Sequence, residues 1–207
     1  VGGAAYFLLN PSQFDPSMPT FVETMQRQLE ATGQSASMGE AQIRMLGYMQ
    51  LLLVFVAPFL NCLTCFGEEW GWRGYLLPHM LEKHSAAFSA VAIGIIWGLW
   101  HAPITALGHN YGLDYPGWPV VGIVAMCCFC VVLSCLFSWL TLRAKSCLPA
   151  VLAHGAINGC IAAPTMFLVG TANAFVGPTA TGIVGGIGFI VVAVICLVSL
   201  RKDRPTQ

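Results

Sequence analysis

Charge is what this sequence has least of. Only 9% of its 207 residues are Asp, Glu, Lys or Arg, against roughly 25% in an average soluble domain. So few charges cannot coat a soluble globule of this size. Nine Lys and Arg against nine Asp and Glu leave no net charge, so the basic footprint that a nucleic-acid partner requires is missing. There is no internal repeat and no low-complexity tract. Cys62-x-x-Cys65 has metal or redox spacing, but no second pair completes it. The remaining cysteines sit in or beside apolar runs, where Cys behaves as a small hydrophobe.

Apolar residues dominate instead, at 57% of the chain. They fall into five runs, 43–66, 85–100, 118–142, 148–168 and 181–200, each near the ~20 residues that cross a bilayer as a helix. The pattern predicts an all-α fold, a polytopic membrane helix bundle with about five transmembrane helices. Pro58 and Pro164 predict kinks, which a membrane helix tolerates when neighbours satisfy the freed backbone.

The only long polar stretch is 10–39. Thr20-x-x-Glu23 and Ser37-x-x-Glu40 both fit a capping box. The first predicts an amphipathic helix with Phe21, Met25 and Leu29 on one face, lying on the membrane surface or on the bundle and stopping near Gly33. The second predicts a long helix from about Met38. Val1 rather than Met opens the chain, and the apolar stretch 1–9 reads as the end of a span cut off upstream, not as a signal peptide. Three regions result: an N-terminal segment (1–42), a core (43–168), and a final helix with a basic tail (169–207).

Basic residues alternate along the chain. Arg73 and Lys83, then Arg143 and Lys145, then Arg201, Lys202 and Arg204 mark one side, while loops 102–117 and 170–180 carry none. Arg44 is the exception. The positive-inside rule assigns the basic side to the cytoplasm.

Against this apolar background a few polar residues stand out. An ionisable side chain deep in a membrane is expensive and marks function by default. Glu68 and Glu69 end the first run, His101 closes the second, and His154 and Asn158 interrupt the fourth. Glu69 and Arg73 are spaced to pair on one helix face, as are His154 and Asn158. Glu68 is turned about 100° from Glu69, so the two carboxylates have separate surroundings. At about 1.5 Å per residue, Glu68, His154 and Asn158 lie roughly 12–20 Å from the basic side and His101 about 24 Å, which predicts one polar layer. Such groups also glue helices together; their common depth is what points to a site.

These residues carry a family resemblance. Glu68-Glu69-Trp70-Gly71-Trp72-Arg73 reads as EExxxR, Trp97 to His101 resembles FxxxH with Trp for Phe, and His154 to Asn158 reads as HxxxN. In this order, each on an apolar helix, they resemble the CPBP (Abi) family of CAAX prenyl proteases and bacteriocin-processing enzymes. The resemblance covers residues 59–164. It implies an intramembrane glutamate peptidase, with Glu68 as the base that activates water and His101 polarising that water. His154 and Asn158 would then serve as oxyanion donors, with Glu69 and Arg73 in support. It implies no cofactor and no metal. The implied partners are a peptide or lipidated protein and membrane lipid, and the implied location is the cell membrane.

Peptide hydrolysis needs a base beside a water and donors beside the carbonyl oxygen. No serine or cysteine has a candidate base at a recognisable spacing, so direct attack by water is the simpler scheme. Water must reach the site, which predicts a polar cavity open to the basic, cytoplasmic side. Three alternatives stay open. Glu68, His101 and His154 have zinc-ligand chemistry, although HExxH is absent. Intramembrane Glu and His also build proton relays in transporters. A non-catalytic immunity or binding protein would keep the scaffold and dispense with the base.

Overall fold

The computed structural model of the chain describes residues 1–33 and 38–202. Every regular element is helical; among the described residues the only β feature is an isolated bridge between Phe14 and Leu168. The N-terminal segment contains the apolar α1 (Gly2–Leu9) and, within the polar stretch, α2 (Pro19–Ala31). The first apolar run is divided into α3 (Glu40–Leu53), α4 (Ala57–Leu60) and α5 (Cys62–Glu69). A π-helical turn, Trp70–Leu76, continues directly into α6 (Leu77–Leu81). Then come α7 (Ala86–Trp100), α8 (Ala102–Ala106), α9 (Val120–Ala144), α10 (Leu148–Cys160) and α11 (Ile187–Lys202).

Several helix ends differ from expectation. Helix α2 starts one residue before Thr20: Met18 caps it in a left-handed conformation and Pro19 takes the first turn, where a missing N–H costs nothing. Thr20 therefore lies inside the helix, and Glu23 pairs with Arg27 instead. The stop is as expected, with Gly33 at φ 72°. Ser37 lies outside the described residues, as does Arg204 of the tail. Helix α3 opens at Glu40, where Gln42 Oε1 accepts from the Gly39 N–H at 2.8 Å.

Among the described residues two segments are long and apolar enough to cross a membrane, Val120–Ala144 and Leu148–Phe167, and Ala86–Trp100 is a shorter apolar helix. The first and last expected spans are interrupted. Pro58 sits in the first turn of α4, after the break at residues 54–56. The fifth run becomes helical only at Ile187, because residues 177–186 close on themselves through turns such as Gly185 N–H to Gly177 O.

Helix α9 is the spine, about 37 Å long at 1.5 Å per residue. Helix α7 lies on it through a stripe of small residues. A Cβ on Gly94 would sit 2.5 Å from Val131 Cα, and one on Gly98 2.4 Å from Cys127 Cα. Ser134 Oγ reinforces the contact by donating to Ala90 O at 2.7 Å. Helix α10 meets α4 in the same way: a Cβ on Gly155 would lie 2.9 Å from Pro58 O, and one on Gly159 2.1 Å from Ala57 Cβ. Asn61 Nδ2 locks the pair by donating to Gly155 O at 3.0 Å. Close backbone approach through G-x-x-x-G stripes is how helices associate where the hydrophobic effect gives little help. Many large apolar side chains face outward, Phe55, Phe59 and Leu63 among them.

Candidate active site

The two adjacent carboxylates have different environments. Glu69 is fully buried, and Arg73, one turn on, is 1% exposed; Arg73 Nη1 approaches both Glu69 oxygens at 3.1 Å. The Arg73 guanidinium lies over aromatic faces, with Cζ 4.8 Å from the Trp97 ring and 5.2 Å from Phe137. Glu69 Oε1 also lies 2.9 Å from His154 Nδ1, across 85 residues of sequence. Glu69 thus binds a cation on its own element to an imidazole on α10, and removing one member would strand a charge in the interior.

Glu68, rotated away by one residue, is half-buried and lines a cavity of about 350 Å³. The indole Nε1 of Trp97 donates to Glu68 Oε2 at 3.0 Å. His101, His154 and Asn158 line the same cavity. All four groups expected at one depth therefore share one space, with Glu69 and Arg73 buried behind it.

Hydrogen-bond partners fix which ring nitrogens are available. His101 Nδ1 lies 2.9 Å from Trp97 O. A carbonyl only accepts, so this nitrogen carries the proton and Nε2 is left for other partners. His154 Nδ1, facing the Glu69 carboxylate, carries a proton for the same reason; its Nε2 donates only as imidazolium, and Glu69 is the counter-ion that such a cation needs. Asn158 Nδ2 makes a weak contact to Cys65 Sγ at 3.6 Å.

Two residues to which the sequence motifs assign no role belong to this cavity. Trp97 holds Glu68, and its ring also meets His154 edge-on at 5.2 Å. His109, on the loop after α8, stacks on His101 at 6.3 Å and 12°. Burial, and secondarily the His101 charge, hold the His109 imidazole below its ordinary value of 6.5. An aromatic at the motif's first position and a histidine in a loop without Lys or Arg were the available signals.

Residues of α8, of the loop after it and of the end of α10 also reach this cavity. Ile104, His109, Asn110 and Ile161 line it, and they lie at the end opposite Arg143 and Lys145. His109 is exposed and stands at the rim. His154 lies at the middle of α10 and Asn158 one turn beyond it. Among the described residues, no three His, Cys, Asp or Glu side chains are grouped to hold a metal ion. The cysteines described are all free thiols, Cys62 and Cys65 included.

The π-helical turn begins immediately after Glu69. Such turns are frequent at functional sites.

Comparison with known proteins matches residues 49–160, just over half of the chain, to the family model described as type II CAAX prenyl endopeptidase Rce1-like. The chain is also 27% identical over 101 residues to the CAAX prenyl protease 2 of Methanococcus maripaludis. That match covers 48% of this chain and 37% of the archaeal protein, so the chain corresponds to well under two thirds of that relative. No solved structure matches.

Proposed function

The chain belongs to the Rce1-like family of type II CAAX prenyl endopeptidases, and from that premise we propose that it hydrolyses a peptide bond within the membrane by direct attack of water. The observation that carries this reading is the single cavity lined by Glu68, His101, His154 and Asn158.

Glu68 accepts the proton of a cavity water through the carboxylate oxygen that Trp97 leaves free. His101 Nε2 holds that water from a second direction. The hydroxide forms a bond to the carbonyl carbon, and the carbonyl oxygen takes up the negative charge. Asn158 Nδ2 and the His154 imidazolium donate to that oxyanion. Glu68 then returns its proton to the departing amine as the C–N bond breaks. Glu69 and Arg73 do not touch the reacting atoms; they keep His154 oriented and its charge balanced. No cofactor enters the scheme.

Residues 43–168 form the peptidase core, with the N-terminal segment and the final helix packed around it. Prenylated CAAX-type peptides, or other membrane-associated peptides, are the substrates. The protein crosses the cell membrane several times, with its basic loops in the cytoplasm.

The test is cleavage of a farnesylated CAAX peptide by detergent-purified protein, wild type against Glu68→Gln, each with and without a zinc chelator. Loss of the base lowers the rate by about 10²–10⁴-fold, and chelator has no effect. Full activity in Glu68→Gln removes Glu68 from the role. Chelator inhibition reversed by zinc restores the metal alternative.

A further inference from the structure

Helix α10 brings two polar groups to the cavity, His154 and, one turn on, Asn158. Helix α5 answers with its two buried residues, Glu69 and, one turn back, Cys65. The contacts between them form two rungs of an antiparallel ladder. Glu69 Oε1 lies 2.9 Å from His154 Nδ1, and Asn158 Nδ2 donates to Cys65 Sγ at 3.6 Å. Residues four apart share a helix face, so one face of α5 meets one face of α10 twice.

The two groups on α10 are not equally constrained. His154 is buried, with its ring against Glu69, Trp97 and Phe137. Asn158 is exposed, and among the described residues its side chain makes no other hydrogen bond than the one to Cys65. The last torsion of an asparagine is broad and roughly two-fold. Its amide therefore has no strong preference of its own for which end lies where. The two ends differ in chemistry: Nδ2 carries two protons and Oδ1 none. An amide turned the wrong way sets a partial negative charge against a developing oxyanion. The choice has to come from a neighbour.

We propose that Cys65 is a positioning residue for Asn158: its sulfur takes one Nδ2 proton and leaves the other for the carbonyl oxygen of the substrate. The inference rests on the hydrolytic reading and adds what aims one of the oxyanion donors. The thiol touches no reacting atom. Sulfur is a weak acceptor, yet free cysteine also behaves as a small hydrophobe, so it fills the buried face of α5 without leaving a strongly polar group unpaired. Cys62 and Cys65 are both free thiols; the spacing that matters is the one turn from Cys65 to Glu69, which matches the one turn from Asn158 to His154.

The experiment compares the full chain in phosphatidylcholine nanodiscs as wild type, Cys65→Ala, Cys65→Ser, Asn158→Ala and the Cys65→Ala/Asn158→Ala double variant. Cleavage of the farnesylated CAAX peptide is one reading. The side-chain NH₂ signal of Asn158, in protein labelled with ¹⁵N at asparagine and assigned by its loss in Asn158→Ala, is the other. Deleting an oxyanion donor costs about 10²–10³-fold in kcat; Cys65→Ala keeps the donor but no longer aims it, so kcat should fall roughly tenfold at unchanged KM. Cys65→Ser supplies an acceptor again and should recover kcat to within about threefold of wild type. The NH₂ signal should move in Cys65→Ala and return in Cys65→Ser. In the Asn158→Ala background, adding Cys65→Ala should change kcat by less than about twofold, because both act through one group. Should Cys65→Ala fail to fold, Cys65→Val removes the acceptor at closer to the original volume. Additive losses in the double variant overturn the proposal. So do serine no better than alanine, a raised KM at unchanged kcat, and an NH₂ signal that stays in place without the sulfur. The signal needs no turnover, so a shift in a chain that cleaves nothing upholds the rung and sinks the peptidase. Cleavage with an unmoved signal sinks the rung alone.

Discussion

Trp97 Nε1 donates to Glu68 Oε2 at 3.0 Å, from an indole that is itself 2% exposed. Arg73 lies over one part of that ring, and His154 and Phe137 pack against it. The indole cannot turn, so one oxygen of Glu68 is fixed and the other is left for a water. Trp97→Phe keeps an aromatic side chain but removes the N–H and one of the two fused rings. Hydrogen bonds to charged groups contribute about 1.5–3 kcal/mol, so kcat/KM on the farnesyl peptide should fall roughly 10–100-fold, beside the drop in unfolding temperature that a smaller ring in a buried site brings. A change below twofold would show that Glu68 is positioned without Trp97.

Glu69→Gln retains shape but leaves the Arg73 guanidinium without its anion in the interior. Breaking a buried pair on one side costs about 3–5 kcal/mol. The variant should melt well below wild type in detergent, and Arg73→Met should do the same. The double variant should be less damaged than the sum of the two, since neither charge is then stranded. Additive losses would mean that the pair is not coupled.

The small-residue stripes give a packing prediction. Gly159→Val places carbon where Ala57 Cβ already lies, so α10 must move away from α4 and carry His154 and Asn158 out of line. Activity should be lost, with a drop in melting temperature. Gly39→Ala, where an added Cβ meets nothing within 4 Å, is the neutral comparison. Equal behaviour of the two would refute the close-approach account.

The loop histidine gives a pH prediction. Burial, then the His101 charge, lower the His109 value in the folded state. The unfolded chain therefore takes up the proton first as pH falls, and stability declines with it. Melting temperature should be flat at alkaline pH and decrease as pH drops below about 6.5, the ordinary histidine value. His109→Asn should flatten that slope; an unchanged slope would assign it to other groups.

Much of the site was legible because it rests on local helix geometry. The i,i+4 spacing of Glu69 and Arg73 becomes an ion pair, and the equal spacing of His154 and Asn158 puts both into one cavity. The 100° between Glu68 and Glu69 becomes one half-buried and one fully buried carboxylate. What escaped depends on contacts between distant residues: the Trp97–Glu68 bond across 29 residues and the His154–Glu69 contact across 85. Hydropathy also sums side chains and ignores backbone geometry. It therefore merged α3, α4 and α5 into one run and read the glycine-rich turns before Ile187 as helix.

The π-helical turn after Glu69 has a consequence for phase. Its wider winding sets the angle at which α5 meets α6, and with it which of two neighbouring carboxylates looks into the cavity. Adjacent positions differ by about 100°, so a one-residue deletion within 70–76 would act as a rotary switch. The upstream and downstream halves could keep their packing only by turning α5 by one position, which would carry Glu68 into the buried place of Glu69 and leave Gly67 facing the cavity. Chains of this type should accordingly tolerate substitutions in this stretch far better than changes in its length.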